Sequence, residues 1–121
     1  MTVTELIDRY CQVWNEPDAS TRSTLLSSVW AAGATYTDPS MHTSGAAELL
    51  SHISAVRARR PGAFVLRTSK VDVHHGLSRF NWRIVQADGT QLPEGLDIAF
   101  ISADESRIER IIGFFGPPDC M

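Results

Sequence analysis

Two carboxylates and a phenol are the groups of this chain best suited to chemistry. Asp38 closes the run Tyr36-Thr37-Asp38-Pro39, which reads as the end of a strand with a carboxylate where the chain turns. A carboxylate at such a turn stays partly solvated and ionised, hence able to accept a proton. Asp97 lies in Gly95-Leu96-Asp97-Ile98-Ala99-Phe100-Ile101, where alternation puts it on one face with Ala99 and Ile101 and leaves Leu96, Ile98 and Phe100 on the other. Apolar neighbours on both faces disfavour the anion, so Asp97 is a candidate neutral acid that donates a hydrogen bond. Tyr10, on the inner stripe of the first helix, can aim its hydroxyl at the same space. His42, four residues beyond Asp38, is a candidate second acid or base at the mouth. Trp14, Trp30, Phe80, Trp82, Phe100, Phe114 and Phe115 are core residues first. Of these, Trp14, Trp30, Phe80, Trp82 and Phe114 are also candidates for the apolar lining of a planar ligand.

Each group has a plainer alternative. Asp38 can serve as an Asx-turn residue before proline. Asp97 can be the buried partner of Arg79 or Arg83, and Tyr10 a core tyrosine. His42 can be an exposed loop residue, and of His74 and His75, on opposite faces of one strand, at most one can face inward. The histidines at 42, 52, 74 and 75 show neither a helical i, i+4 pair nor a Cys-x-x-Cys companion, so no metal site is expected. Cys11 and Cys120 are read as free thiols.

The elements that must position these groups follow from periodicity. Leu6, Ile7, Tyr10, Val13 and Trp14 recur at three and four, predicting a helix over 4–14 capped by Thr2 or Thr4 and broken at Asn15-Glu16-Pro17-Asp18. A second helix is expected from Ala19 to Trp30, closed by Gly33 as a left-handed cap, and a third from Gly45 to Arg60. In the third, Glu48 in the first turn and Arg57, Arg59 and Arg60 in the last suit the helix dipole. Strands are expected at 34–37, 64–75, 77–86, 92–102 and 107–115, with turns at Gly76, Asp88-Gly89 and Asp104-Glu105-Ser106. Helices first and antiparallel strands after predict an α+β domain, three helices packed on one face of a curved, mainly antiparallel sheet that leaves a conical cavity at one end.

A chain of 121 residues, 43% hydrophobic, fits one domain over 1–121. With a net charge of −3 and no basic stripe, a nucleic-acid partner is not expected. No apolar run approaches the roughly 20 residues that span a bilayer, and no export pattern opens the chain, so a cytoplasmic protein is expected.

The order of these motifs resembles a known family. A helix with Tyr10 followed by Trp14-Asn15, the Tyr36-Thr37-Asp38-Pro39 turn, a helix ending at Pro61-Gly62, and strands closing with Gly95-Leu96-Asp97-Ile98-Ala99-Phe100 and Ile111-Ile112-Gly113-Phe114-Phe115-Gly116 are similar to the SnoaL-like, ketosteroid isomerase-like branch of the nuclear transport factor 2 (NTF2-like) superfamily. The resemblance covers nearly the whole chain and implies the cone-shaped NTF2-like (cystatin-like) fold. It implies a cofactor-independent isomerase, cyclase or dehydratase acting on a small hydrophobic carbonyl compound. In that reading Asp38 removes a proton α to the carbonyl, while Tyr10 and Asp97 stabilise the enolate oxygen. A protonated aspartic acid of that kind is the stock example from ketosteroid isomerase. The superfamily also contains domains that only bind or scaffold, so a noncatalytic module is the alternative. Apolar residues on both faces of the last strand, Ile108 and Ile112 against Ile111 and Phe115, together with the arrangement common in this superfamily, lead to the expectation of a homodimer built sheet to sheet.

Overall fold

The computed structural model describes residues 1–121. Its elements run α1 (Val3–Asn15), α2 (Ala19–Ser27), β1 (Trp30–Asp38), β2 (Met41–Ser44), α3 (Ala46–Arg59), β3 (Phe64–Arg67), β4 (Asp72–His74), β5 (Leu77–Val85), β6 (Gly95–Ile101) and β7 (Ile108–Phe115). The strands form one sheet in the order β2-β1-β7-β6-β5-β3, with β4 also paired to β5. All neighbours are antiparallel except β1 and β7. The three helices cover one face of this curved sheet, and the cone-shaped α+β fold expected from the sequence is the fold observed.

Local chemistry sets the helix ends. Thr2 and Glu5 exchange side-chain and backbone hydrogen bonds as a capping box, which fixes the start of α1. Asp18 caps α2 by accepting from the Thr21 amide at 2.8 Å. Leu6, Ile7 and Val13 from α1, Leu26 from α2, and Leu49 and Ile53 from α3 meet Ala99, Ile108 and Ile111 of the sheet in one core.

Three expectations need correction. The second helix does not reach Trp30: it stops at Ser27, and Trp30 opens β1. The reason is tertiary, because the Ile108 amide donates to the Val29 carbonyl at 2.7 Å and draws the chain into the sheet. Gly33, with φ +72, therefore caps no helix; it lies in the register irregularity between Trp30 and Thr35. The run 64–75 is two strands, β3 and β4, and residues 41–44, to which the sequence assigned no element, pair with β1 as β2. No helix is long and apolar enough to cross a membrane.

Candidate active site

Asp38 ends β1 on its inner face. Ala34 and Tyr36 share that face by the period of two, and Tyr36 is buried just behind the carboxylate. The Tyr36 hydroxyl donates to Asp38 Oδ2 at 2.6 Å, and the amide and hydroxyl of Ser40 donate to Oδ1 at 2.7 and 2.8 Å. The His52 Nε2 stands 3.7 Å from Oδ2, with both side chains about 95% buried (5% and 4% exposed). Burial pushes the Asp38 carboxyl up, but the Tyr36 and Ser40 hydrogen bonds and the His52 ring together hold it below the ordinary carboxylate value. Asp38 is thus an anion whose Oδ1 is saturated and whose Oδ2 keeps room for one more donor.

Asp97 is placed by β6, where Gly95, Asp97, Ala99 and Ile101 are buried and the residues between them are not. Its one hydrogen bond comes from the Trp82 indole, Nε1 to Oδ1 at 2.9 Å. Two glycines make this possible. A side chain at Gly95 would collide with the Trp82 ring, and a Cβ at Gly113 would sit 2.7 Å from Asp97 Oδ1. Burial raises the Asp97 carboxyl to about 7, against the pull of the Trp82 bond and with a further push from the Asp38 charge. No arginine neutralises it: Arg79 pairs with Asp72 and Arg83 with Glu94.

Tyr10 stacks on Trp30, centroids 5.8 Å apart and planes 14° from parallel. Its hydroxyl is buried and has no hydrogen-bond partner. Burial, with the Asp97 carboxyl nearby, raises the phenol well above its ordinary value, so it remains a donor. Burial also pushes the neighbouring Cys11 thiol to about 12, which removes it as a nucleophile near neutral pH.

These groups line a cavity of about 520 Å³. Of the sequence candidates, Tyr10, Asp38, Asp97, Trp14, Phe80 and Trp82 all reach it. His42, Trp30 and Phe114 do not. His42 pairs with Thr37 across β1 and β2, and cross-strand partners share a face; Thr37 alternates with Tyr36 and Asp38, so His42 is exposed on the outer face, 2.7 Å from Thr37 Oγ1. Trp30 is buried behind Tyr10. Phe114 is paired with outward Leu96, whereas Phe115, one residue on and equally exposed, lines the cavity opposite Gly95. His74 and His75 are both exposed, with neither ring at the cavity.

The sequence reading missed Tyr36 and His52. Tyr36 stands two residues before Asp38, hence on its face, and His52 falls on the α3 stripe three beyond Leu49 and four before Val56. The His52 ring packs edge-on against Trp14, centroids 5.8 Å apart. Burial lowers its proton affinity although Asp38 opposes this, and the charge of Arg59 lowers it further, so the imidazole is neutral at pH 7. No group of three or more His, Cys, Asp or Glu side chains is arranged to hold a metal ion.

No family model matches the sequence, and none of the curated proteins does. Among solved structures, a candidate isomerase of the SnoaL-like family from Agrobacterium tumefaciens strain C58 is 30% identical, with 97% of this chain and 100% of that one covered at a TM-score of 0.89. The chain belongs to the SnoaL-like family. More distant likenesses confirm only the fold of this SnoaL-like protein. One is a candidate polyketide cyclase from Sinorhizobium meliloti, 14% identical, with a TM-score of 0.71 over 90% of this chain and 93% of that one. Another is an NTF2-like protein from Mesorhizobium loti, 18% identical, with a TM-score of 0.69 over 95% and 91%.

Proposed function

We propose that the cavity is the active site of a cofactor-independent isomerase or lyase that moves a proton on a small hydrophobic carbonyl compound. What carries this reading is the opposed protonation of two acids in one cavity, Asp38 ionised and Asp97 neutral over much of the range below pH 7, beside the unpartnered Tyr10 hydroxyl. The substrate carbonyl accepts from Tyr10 and from protonated Asp97, and Asp38 Oδ2 takes the proton from the adjacent carbon. As the enolate forms, the two buried donors meet growing charge, and such hydrogen bonds favour the transition state over the ground state. Asp38 then returns the proton to another atom of the conjugated system, or a leaving group departs. Tyr36, Ser40 and His52 orient the Asp38 carboxylate.

Exchange of the α-hydrogens of β-tetralone in deuterated water, followed by NMR, tests the proposal. The expected result is catalysed exchange that falls roughly 10²- to 10⁴-fold in Asp38→Asn, the usual size of a lost general base. Exchange no faster than in buffer sinks it. A second reading, a ligand-binding module without turnover, draws on the two Ser40 hydrogen bonds to Asp38 Oδ1, which are those of an Asx turn. It predicts bound β-tetralone without exchange.

The proposed partner is a second copy of the chain, packed sheet to sheet. Leu96, Ile98, Ile112 and Phe114 share the outer face of β6 and β7, in register across the two strands. A half-exposed apolar row of this kind suits an isologous contact.

A further inference from the structure

The cavity has an acidic end and a basic end. His52, Val56, Arg59 and Arg60 all line it, from one face of α3 and its C-cap. At 1.5 Å per residue, Arg59 and Arg60 stand about 10–12 Å along the axis from His52, which itself sits against Asp38. Apolar side chains, among them Val65, Ile84 and Leu92, line the cavity as well.

The arginines of the chain are not equivalent. Arg67, Arg79 and Arg83 each hold a carboxylate. Arg22 is buried with a partner for each nitrogen, donating to the Glu16 and Pro17 carbonyls and to Ser54. Arg57 donates to the Trp14 carbonyl at 2.8 Å and ties α3 to α1. Arg60 makes a single hydrogen bond, to Gln86 Oε1 at 3.2 Å, and Arg59 makes none; neither has a carboxylate partner, and although Arg9, Arg107 and Arg110 also lack one, only Arg59 and Arg60 line the cavity. Both are exposed, so they keep their hydration and cost little when the cavity is free. Two planar guanidinium groups at the rim of an apolar cavity, without an anion of the protein's own, are a receptor for one supplied from outside.

We infer that Arg59 and Arg60 form an anion-recognition subsite, and that the molecule processed here is a hydrophobic carbonyl compound bearing a carboxylate or similar anion at the end away from the carbon that gives up its proton. This rests on the proton-transfer reading above and specifies its substrate class. It also gives direction to binding: the anionic group is held at the mouth by the cations and repelled from Asp38 at the other end, so the carbonyl enters first. The plainer role of these residues, complementing the C-terminal dipole of α3, needs no ligand and predicts no preference between anionic and neutral molecules.

The test uses two fluorescent probes of one skeleton, anilinonaphthalene sulfonate and the neutral phenylnaphthylamine, titrated into the full chain at low salt. The indole NMR signals of Trp14 and Trp82, which line the cavity, report its occupancy. The sulfonate is expected to bind on the order of tenfold more tightly than the neutral probe, the worth of one charged hydrogen bond. Arg59→Gln should reduce that preference, Arg59→Gln with Arg60→Gln should abolish it, and the neutral probe should bind all three proteins alike. Equal binding of the two probes, or a preference that survives the double substitution, overturns the subsite while catalysed β-tetralone exchange leaves the proton-transfer reading standing. Failure of both probes to move the Trp14 and Trp82 signals overturns the subsite and the ligand cavity together.

Discussion

Asp38 and Asp97 approach the same backbone position from two sides. Asp97 is the cross-strand partner of Gly113, and Thr37 is that of Ile112, so Asp38 lies on the other flank of Gly113. A Cβ there would stand 2.7 Å from Asp97 Oδ1 and 3.6 Å from Asp38 Cβ. Two carboxyl groups in one enclosed space do not both ionise cheaply, and the unequal supply of donors decides which does. Asp38 has Tyr36 and Ser40; Asp97 has only the Trp82 indole.

Gly113→Ala is therefore expected to damage the site from the sheet floor. Overpacking at such a contact costs about 1–3 kcal/mol. Chemical denaturation should show that loss, and the Trp82 indole NMR signal should move as Asp97 is displaced. An unchanged melt with an unmoved indole signal would show that a methyl group at position 113 does not crowd Asp97.

The pH dependence of stability has a computable sign. The folded-state value of about 7 for Asp97 lies above its ordinary 3.8, so between these values the folded protein keeps a proton that the unfolded chain has released. Its contribution is complete below about pH 4 and is lost as the pH rises through 7, by at most about 4 kcal/mol. Asp38, held below 3.8, acts oppositely: its contribution is present above that value and is lost as the pH falls through its lower folded one. His52, held below 6.5, likewise costs stability as the pH falls beneath that value. In urea melts from about pH 5 to 9, Asp97→Asn should remove the fall in stability that Asp97 imposes up to about pH 7, and the variant should exceed the parent protein in stability at about pH 9. A variant that falls off with pH as the parent does would show that Asp97 is not the group responsible.

Sedimentation tests the sheet-to-sheet pairing. The parent chain is expected to run as a dimer at micromolar concentration, and Ile112→Glu with Phe114→Glu as a monomer that still binds β-tetralone, since neither side chain lines the cavity. A monomeric parent protein would end the proposal.

Local order alone fixed a good part of this molecule. Thr2 and Glu5 start α1 because their partners lie within one turn, and the alternation around Asp97 put it with Ala99 and Ile101 because a strand has no other period. Contacts far apart along the chain decided the rest. Trp30 continues a helical pattern in sequence, yet Ile108 bonds to Val29 and makes it the first residue of a strand. His42 looks close to Asp38 when counted along the chain, and the β1–β2 register turns it to the other face. His52 has no neighbour in sequence that suggests chemistry; only the packing of α3 over β1 brings its ring to 3.7 Å from Asp38. Hydrogen bonds within a turn and side-chain periods are properties of a short segment and can be read from it. Which faces meet, and which carboxyl is left with a single donor, depends on how separate segments pack, and that energy is shared among residues no local pattern connects.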